Sequence, residues 1–107
     1  MKSYFIKIIF TAALLGAGSA AEANIECTEN IVAVILHVNG NIYFQSDQTC
    51  GNWCQVNMGT DAMNKNVYAM LLSAKMGGRP LLFNWPNLAS CSSQNATYAA
   101  PAYVQLR

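Results

Sequence analysis

Between positions 24 and 107 the residues that could do chemistry are few: four cysteines, one histidine, four carboxylates and two asparagine–tryptophan pairs. Four thiolates can hold zinc, but structural zinc sites draw their ligands from two close pairs. Here only Cys50 and Cys54 are close, while Cys27 and Cys91 stand far off. The spacing C-x3-C also differs from the C-x-x-C of thiol oxidoreductases. His37, the single histidine, lies in an apolar run with no acid or nucleophile beside it, whereas a general base needs a partner and a pocket. Glu26 and Glu29 are three residues apart and read as a solvated edge ahead of the first strand. Neither a G-x-S-x-G elbow nor a phosphate-binding glycine loop is present, and Gly77-Gly78 ends a helix where phosphate loops open one. The sequence reads as non-enzymatic, with no metal and no cofactor.

Binding chemistry is better represented. Trp53, Trp85, Tyr43, Phe44, Tyr98 and Tyr103 are many rings for so short a chain. A sugar lays its C–H face on an aromatic ring while amides and acids orient its hydroxyls. Asn52 with Trp53, in the loop DQTCGNW, and Asn84 with Trp85, in NWPN, are the candidate ligand-binding pairs. The competing reading is that the rings fill a thin core, as large aromatics usually do.

The amino-terminal segment sets the context for these groups. Lys2 and Lys7, an apolar run over residues 8–17, and Ala21-Glu22-Ala23 follow the order of a secretory signal peptide. The apolar run is too short to span a bilayer, which takes about 20 residues. The expectation is cleavage after Ala23, with a second small-residue site two positions earlier, and export to a bacterial periplasm or medium. Residues 24–107 then form one domain, in which Lys65, Lys75, Arg79 and Arg107 balance Glu26, Glu29, Asp47 and Asp61. Zero formal charge gives no basic surface for nucleic acid or for an acidic membrane, and no second segment reaches membrane-spanning length. In an oxidising compartment an even number of cysteines reads as disulfides. Three connectivities are open, and the reading leans to Cys27–Cys91 with Cys50–Cys54.

The elements that must position these residues follow from periodicity. Residues 31–38 (IVAVILHV) read as a buried strand, Asn39-Gly40 as a two-residue type I′ turn, and residues 41–45 as the returning strand. Residues 53–58 alternate like a third, half-buried strand. Met63, Val67, Met70, Leu71 and Ala74 then fall on one helical face, with Thr60 or Asp61 as N-cap and Gly77-Gly78 as the stop. Residues 79–85 and 102–106 read as two more strands. Three strands, a helix and two strands is the order of a five-stranded OB-fold barrel, with the helix between strands 3 and 4. Another small α+β sandwich is the alternative.

The stretch VYAMLLSAKMGGRPLLFNW (67–85), the strand with His37 and the Asn39-Gly40 turn, and Tyr43-Phe44 resemble a group of small exported bacterial proteins. That group is related to the B subunits of subtilase cytotoxin and typhoid toxin. The resemblance implies an OB-fold domain that assembles into a ring and displays shallow sugar sites. No binding residue is carried over from it, since Ile25 stands where an acidic residue would be wanted. Two partner classes follow: a glycan or surface receptor, or another exported protein bound by an envelope accessory subunit or inhibitor.

Overall fold

The computed structural model of the chain describes residues 24–107, and the segment read as a signal peptide, 1–23, lies outside them. Its first strand is one that hydrophobicity does not announce. Strand β1 (Ile25–Glu29) alternates, with Cys27 and Glu29 buried and Glu26 and Thr28 exposed. A glutamate at an inward position breaks the apolar period, which is why this stretch reads as a solvated edge. After a single residue, Asn30, the chain re-enters strand geometry as β2 (Ile31–Leu36). Asn30 makes the corner: its backbone N–H and side-chain amide donate to the two carboxylate oxygens of Asp47 at 2.9 and 3.0 Å. Asp47 N–H in turn donates to Asn30 C=O at 3.0 Å.

Strand β2 pairs antiparallel with β3 (Ile42–Ser46), and a bulge between Ile31 and Ala33 helps the chain bend. The turn between them differs from the two-residue expectation. Gly40 alone has a positive φ, 89°, so Asn39 stays on the ordinary side of the backbone map. His37 N–H donates to Asn41 C=O at 2.9 Å and Gly40 N–H to His37 C=O at 2.8 Å, which makes a three-residue loop with glycine in the left-handed position. Asn39 Oδ1 accepts Asn41 N–H at 2.8 Å and completes it. The third strand, β4, is only Cys54–Gln55. The alternation expected over 53–58 is present, with Cys54 and Val56 buried; Val56 N–H still donates to Ile42 C=O at 2.9 Å, while Gln55 N–H, on the opposite edge, goes to Ala99 C=O.

Helix α1 (Asp61–Gly77) matches its sequence signals. Thr60 Oγ1 accepts Met63 N–H at 3.2 Å, Gly78 closes the helix at φ 64°, and Lys75 sits in the last turn. Val67, Leu71 and Ala74 are buried, whereas Met63 at the start of the apolar stripe is 48% exposed. Strand β5 (Leu81–Trp85) is buried along its whole length, because β1 and β6 (Tyr103–Leu106) pair with it on either side.

The described residues therefore form two three-stranded antiparallel sheets, sheet A in the order β1-β5-β6 and sheet B in the order β2-β3-β4, with one helix. Phe44 of sheet B and Phe83 and Trp85 of sheet A stack between the sheets at centroid separations of 5.1 to 6.4 Å. The cysteines form Cys27–Cys91 and Cys50–Cys54. By loop-closure entropy these contribute about 4 and about 2 kcal/mol. No ladder joins β4 to β6 among the described residues, so the barrel is not closed.

Candidate functional site

Along β2 and β3 one side of sheet B faces the core and the other faces outward. Val34 opposite Phe44 and Leu36 opposite Ile42 share the inner side; Ile35 opposite Tyr43, and Tyr43 opposite Gln55, share the outer one. On that outer side Ile35, His37, Tyr43, Trp53 and Tyr98 line a shallow depression of about 170 Å³. Tyr43 lies 5.1 Å from Tyr98 in a tilted pair and 6.1 Å edge-to-face from His37. Tyr98 is 56% exposed. Among the described residues it is also the one non-glycine residue with a positive φ, 68°, and its N–H donates to Trp53 C=O at 2.6 Å. A tyrosine held in the left-handed region costs about 1 kcal/mol or more, and such residues gather at binding sites.

Amides surround this aromatic floor. Asn39 and Asn41 donate to the Tyr43 hydroxyl at 3.4 and 3.0 Å, and these bonds lower the Tyr43 pKa from its ordinary value. His37 Nδ1 accepts Asn39 N–H at 3.1 Å, so in the neutral ring Nε2 carries the proton and remains a donor. Gln45 is anchored by its bond to Gly51 C=O at 3.1 Å, and Gly51 N–H is taken by Gln94 Oε1 at 2.9 Å. The site thus combines stacking surface with fixed polar groups on a rigid sheet.

The sequence-derived candidates separate. Trp53 belongs to the depression, and Asn52 is exposed beside it in the loop closed by Cys50–Cys54. Trp85 is 1% exposed and offers no face to a ligand; its indole N–H donates to Glu29 Oε2 at 2.8 Å inside the core. Asn84 is buried on the other face of the same strand and donates to Asn24 Oδ1 at 2.6 Å. Asn84 falls in a row across sheet A with Glu26 and Tyr103, whose hydroxyl donates to the Glu26 carboxylate. That bond raises the Tyr103 pKa. Asn52 and Trp53 therefore share one end of sheet B, while on sheet A Trp85 points into the core between the sheets and Asn84 points to the opposite face. Reasoning from sequence underrated Ile35 and His37; alternation along β2 places both on the Tyr43 side and was the signal available.

A second, larger hollow of about 680 Å³ lies between the end of the β2–β3 hairpin and the first turns of α1. Leu36, Ile42 and Tyr68 supply apolar surface there, and Asp61, Asn64 and Lys65 supply polar surface. Among the described residues all four cysteines are in disulfides, and no group of three or more His, Cys, Asp or Glu side chains is placed to hold a metal. No helix among them is long and apolar enough to cross a membrane. No protein-family model matches the chain, and no curated protein matches it.

Proposed function

We propose that this chain is an exported, non-enzymatic binding module whose outer sheet B face takes a carbohydrate. The observation that carries the reading is the half-open cluster of Trp53, Tyr98, Tyr43 and His37, with Tyr98 held in a costly backbone conformation at its rim. Rigid rings with amides and an N–H donor beside them suit the alternating apolar and hydroxyl surfaces of a pyranose. The two disulfides suit an oxidising compartment. On this reading the fold is an open OB type: β1 and β2 count as one bent strand, giving five, with the helix between the third and fourth. The likeness to toxin B subunits then extends to a sugar-reading face and to assembly of copies.

Glycan-array binding followed by titration tests this. Trp53→Ala and Tyr98→Ala should each weaken binding by about 10-fold or more with the fold intact; absence of any glycan affinity at millimolar ligand overturns the reading. A second reading, an envelope accessory subunit or inhibitor acting through protein contacts, is favoured by the apolar residues Leu36 and Val38 exposed at the hairpin. Specific binding of a purified exported protein, unaffected by Trp53→Ala, would support that alternative.

A further inference from the structure

Strand β2 is an edge: the order β2-β3-β4 gives it a strand neighbour on one side only within its sheet. In an antiparallel ladder, successive residues direct their N–H and C=O alternately towards the neighbour and away from it. Two bonds set the phase here. His37 N–H donates to Asn41 C=O, so that pair is a bonded one. Ile42 C=O accepts Val56 N–H at 2.9 Å on the β4 side, so Ile42 turns away from Leu36, its opposite residue on β2. Ile35 then bonds to Tyr43, and Val34, opposite Phe44, again turns outward. The N–H and C=O groups of Val34 and Leu36 face the open edge.

The side chains at this edge are equally unfinished. Leu36 is 59% exposed, Val38 98% and Val32 50%, and the hollow beside Leu36 leaves its flank open. Residues 31–46 contain no Asp, Glu, Lys, Arg or Pro. Helix α1 packs against β2 and a bulge sits at Ile31/Ala33, but no charged side chain or proline blunts this edge. The bulge confines regular strand to residues 33–36, with His37 still bonded to Asn41 beyond its end. A charge-free segment of this kind meets no like-charge repulsion from a copy of itself.

The segment is also self-complementary. Set antiparallel about Ile35, Val34 falls opposite Leu36 of a second copy, and Leu36 opposite Val34 of that copy. Four N–H···O bonds then satisfy all the outward groups of both strands. Ala33 comes opposite His37 and Ile35 opposite Ile35, while the exposed Val32 in the bulge and Val38 in the hairpin loop flank the paired segment at each end. The geometry points to a twofold dimer of this chain formed by antiparallel β2–β2 pairing, which joins two sheets B into one six-stranded sheet. A twofold contact needs one surface that fits itself, and β2 provides it. Because Ile35 and His37 also line the aromatic depression, the dimer sets two depressions on the same face on either side of the seam. The pairing rests on the edge and not on the identity of any ligand.

Sedimentation or light scattering of residues 24–107 over a range of concentrations tests this, together with amide hydrogen exchange. The expected mass is that of two chains. The amides of Val34 and Leu36 should be slow to exchange, although neither has a partner within β3. Leu36→Lys and, separately, Val38→Lys lie at exposed positions that spare the fold, as circular dichroism would verify. Each should weaken dimerisation by about 100-fold. Leu36→Lys should also speed Val34 exchange by a comparable factor and leave Ile35, bonded to β3, unchanged. A monomer at millimolar concentration overturns the proposal. So does an assembly whose mass and Val34 exchange ignore both lysines, which would mean that copies meet through another surface. Glycan affinity measured on the monomeric Leu36→Lys protein keeps the two readings apart, since the depression can bind in a single chain.

Discussion

Glu29 puts a carboxylate, 1% exposed, where strand alternation calls for an apolar side chain. Four donors from three parts of the chain converge on it: the Ser46 hydroxyl, the Thr49 N–H, the Thr49 hydroxyl and the Trp85 indole. Removing the acceptor leaves those donors buried and unmet, each at a cost of about 1–3 kcal/mol. Glu29→Ala should lower stability by roughly 3–5 kcal/mol, and Glu29→Gln, which keeps one acceptor oxygen, by clearly less; urea denaturation measures both. Equal losses would mean that the space filled, and not the hydrogen bonds, is what matters. The two perturbed tyrosines give a pH signature. Asn39 and Asn41 favour the Tyr43 phenolate, so that contribution to stability is present above the ordinary value near 10 and is lost as pH falls through the lowered one. Tyr103, donating to Glu26, behaves oppositely: its contribution is present below the ordinary value and is lost as pH rises through the raised one. Absorbance titration should show Tyr43 ionising before Tyr103, with Tyr43→Phe deleting the early component and Tyr103→Phe the late one. None of this was legible from residue types. Glu29 looks solvated until β1 is paired with β5, and Trp85 looks like half of a binding pair until its N–H has found Glu29.

Elements were legible where one period ran long enough. The helix announces itself through the spacing of Val67, Leu71 and Ala74, a hydroxyl cap and a glycine stop, and each signal has the partner it implies. Thr60→Ala should therefore cost about 1 kcal/mol, read as a fall in thermal midpoint that Thr60→Ser largely avoids. Met63 follows the same period but lies beyond the edge of the core, so periodicity overstates the buried stripe by one turn. Strand limits were less legible because pairing, and not pattern, ends a strand. Beyond Val56, whose N–H still reaches Ile42 C=O, residues 57–58 keep the alternation but leave β3, with Met58 N–H going to Asn64 Oδ1. The Asn39-Gly40 pair marks the hairpin correctly, yet a third residue in the loop leaves Asn39 free to accept from Asn41.

At the scale of the molecule, the mainly β order of the described residues, with one helix among them, could be read in advance, and so could the leaning in cysteine pairing. The division into two sheets could not, since it depends on one corner at Asn30 letting a continuous stretch of chain serve both. The site was half legible for the same reason: Trp53 and Trp85 look equivalent in sequence, but one ends up on the outside of sheet B and the other between the sheets. The two cross-links differ in a way that bears on how the molecule is made. Cys50 and Cys54 are separated by 4 positions and Cys27 and Cys91 by 64. In an unstructured chain the short ring meets itself roughly 50 times more often than the long one. The short bridge can thus form before there is a fold, whereas the long one waits until β1 and the 88–100 segment have been brought together. Alkylation-quenched oxidation of the reduced chain should accumulate a one-bridge species holding Cys50–Cys54; similar amounts of the two single bridges would contradict that order. Closure of Cys27–Cys91 then acts as a covalent record that sheet A has been built, and a chain that stalls before it keeps two thiols that betray the failure.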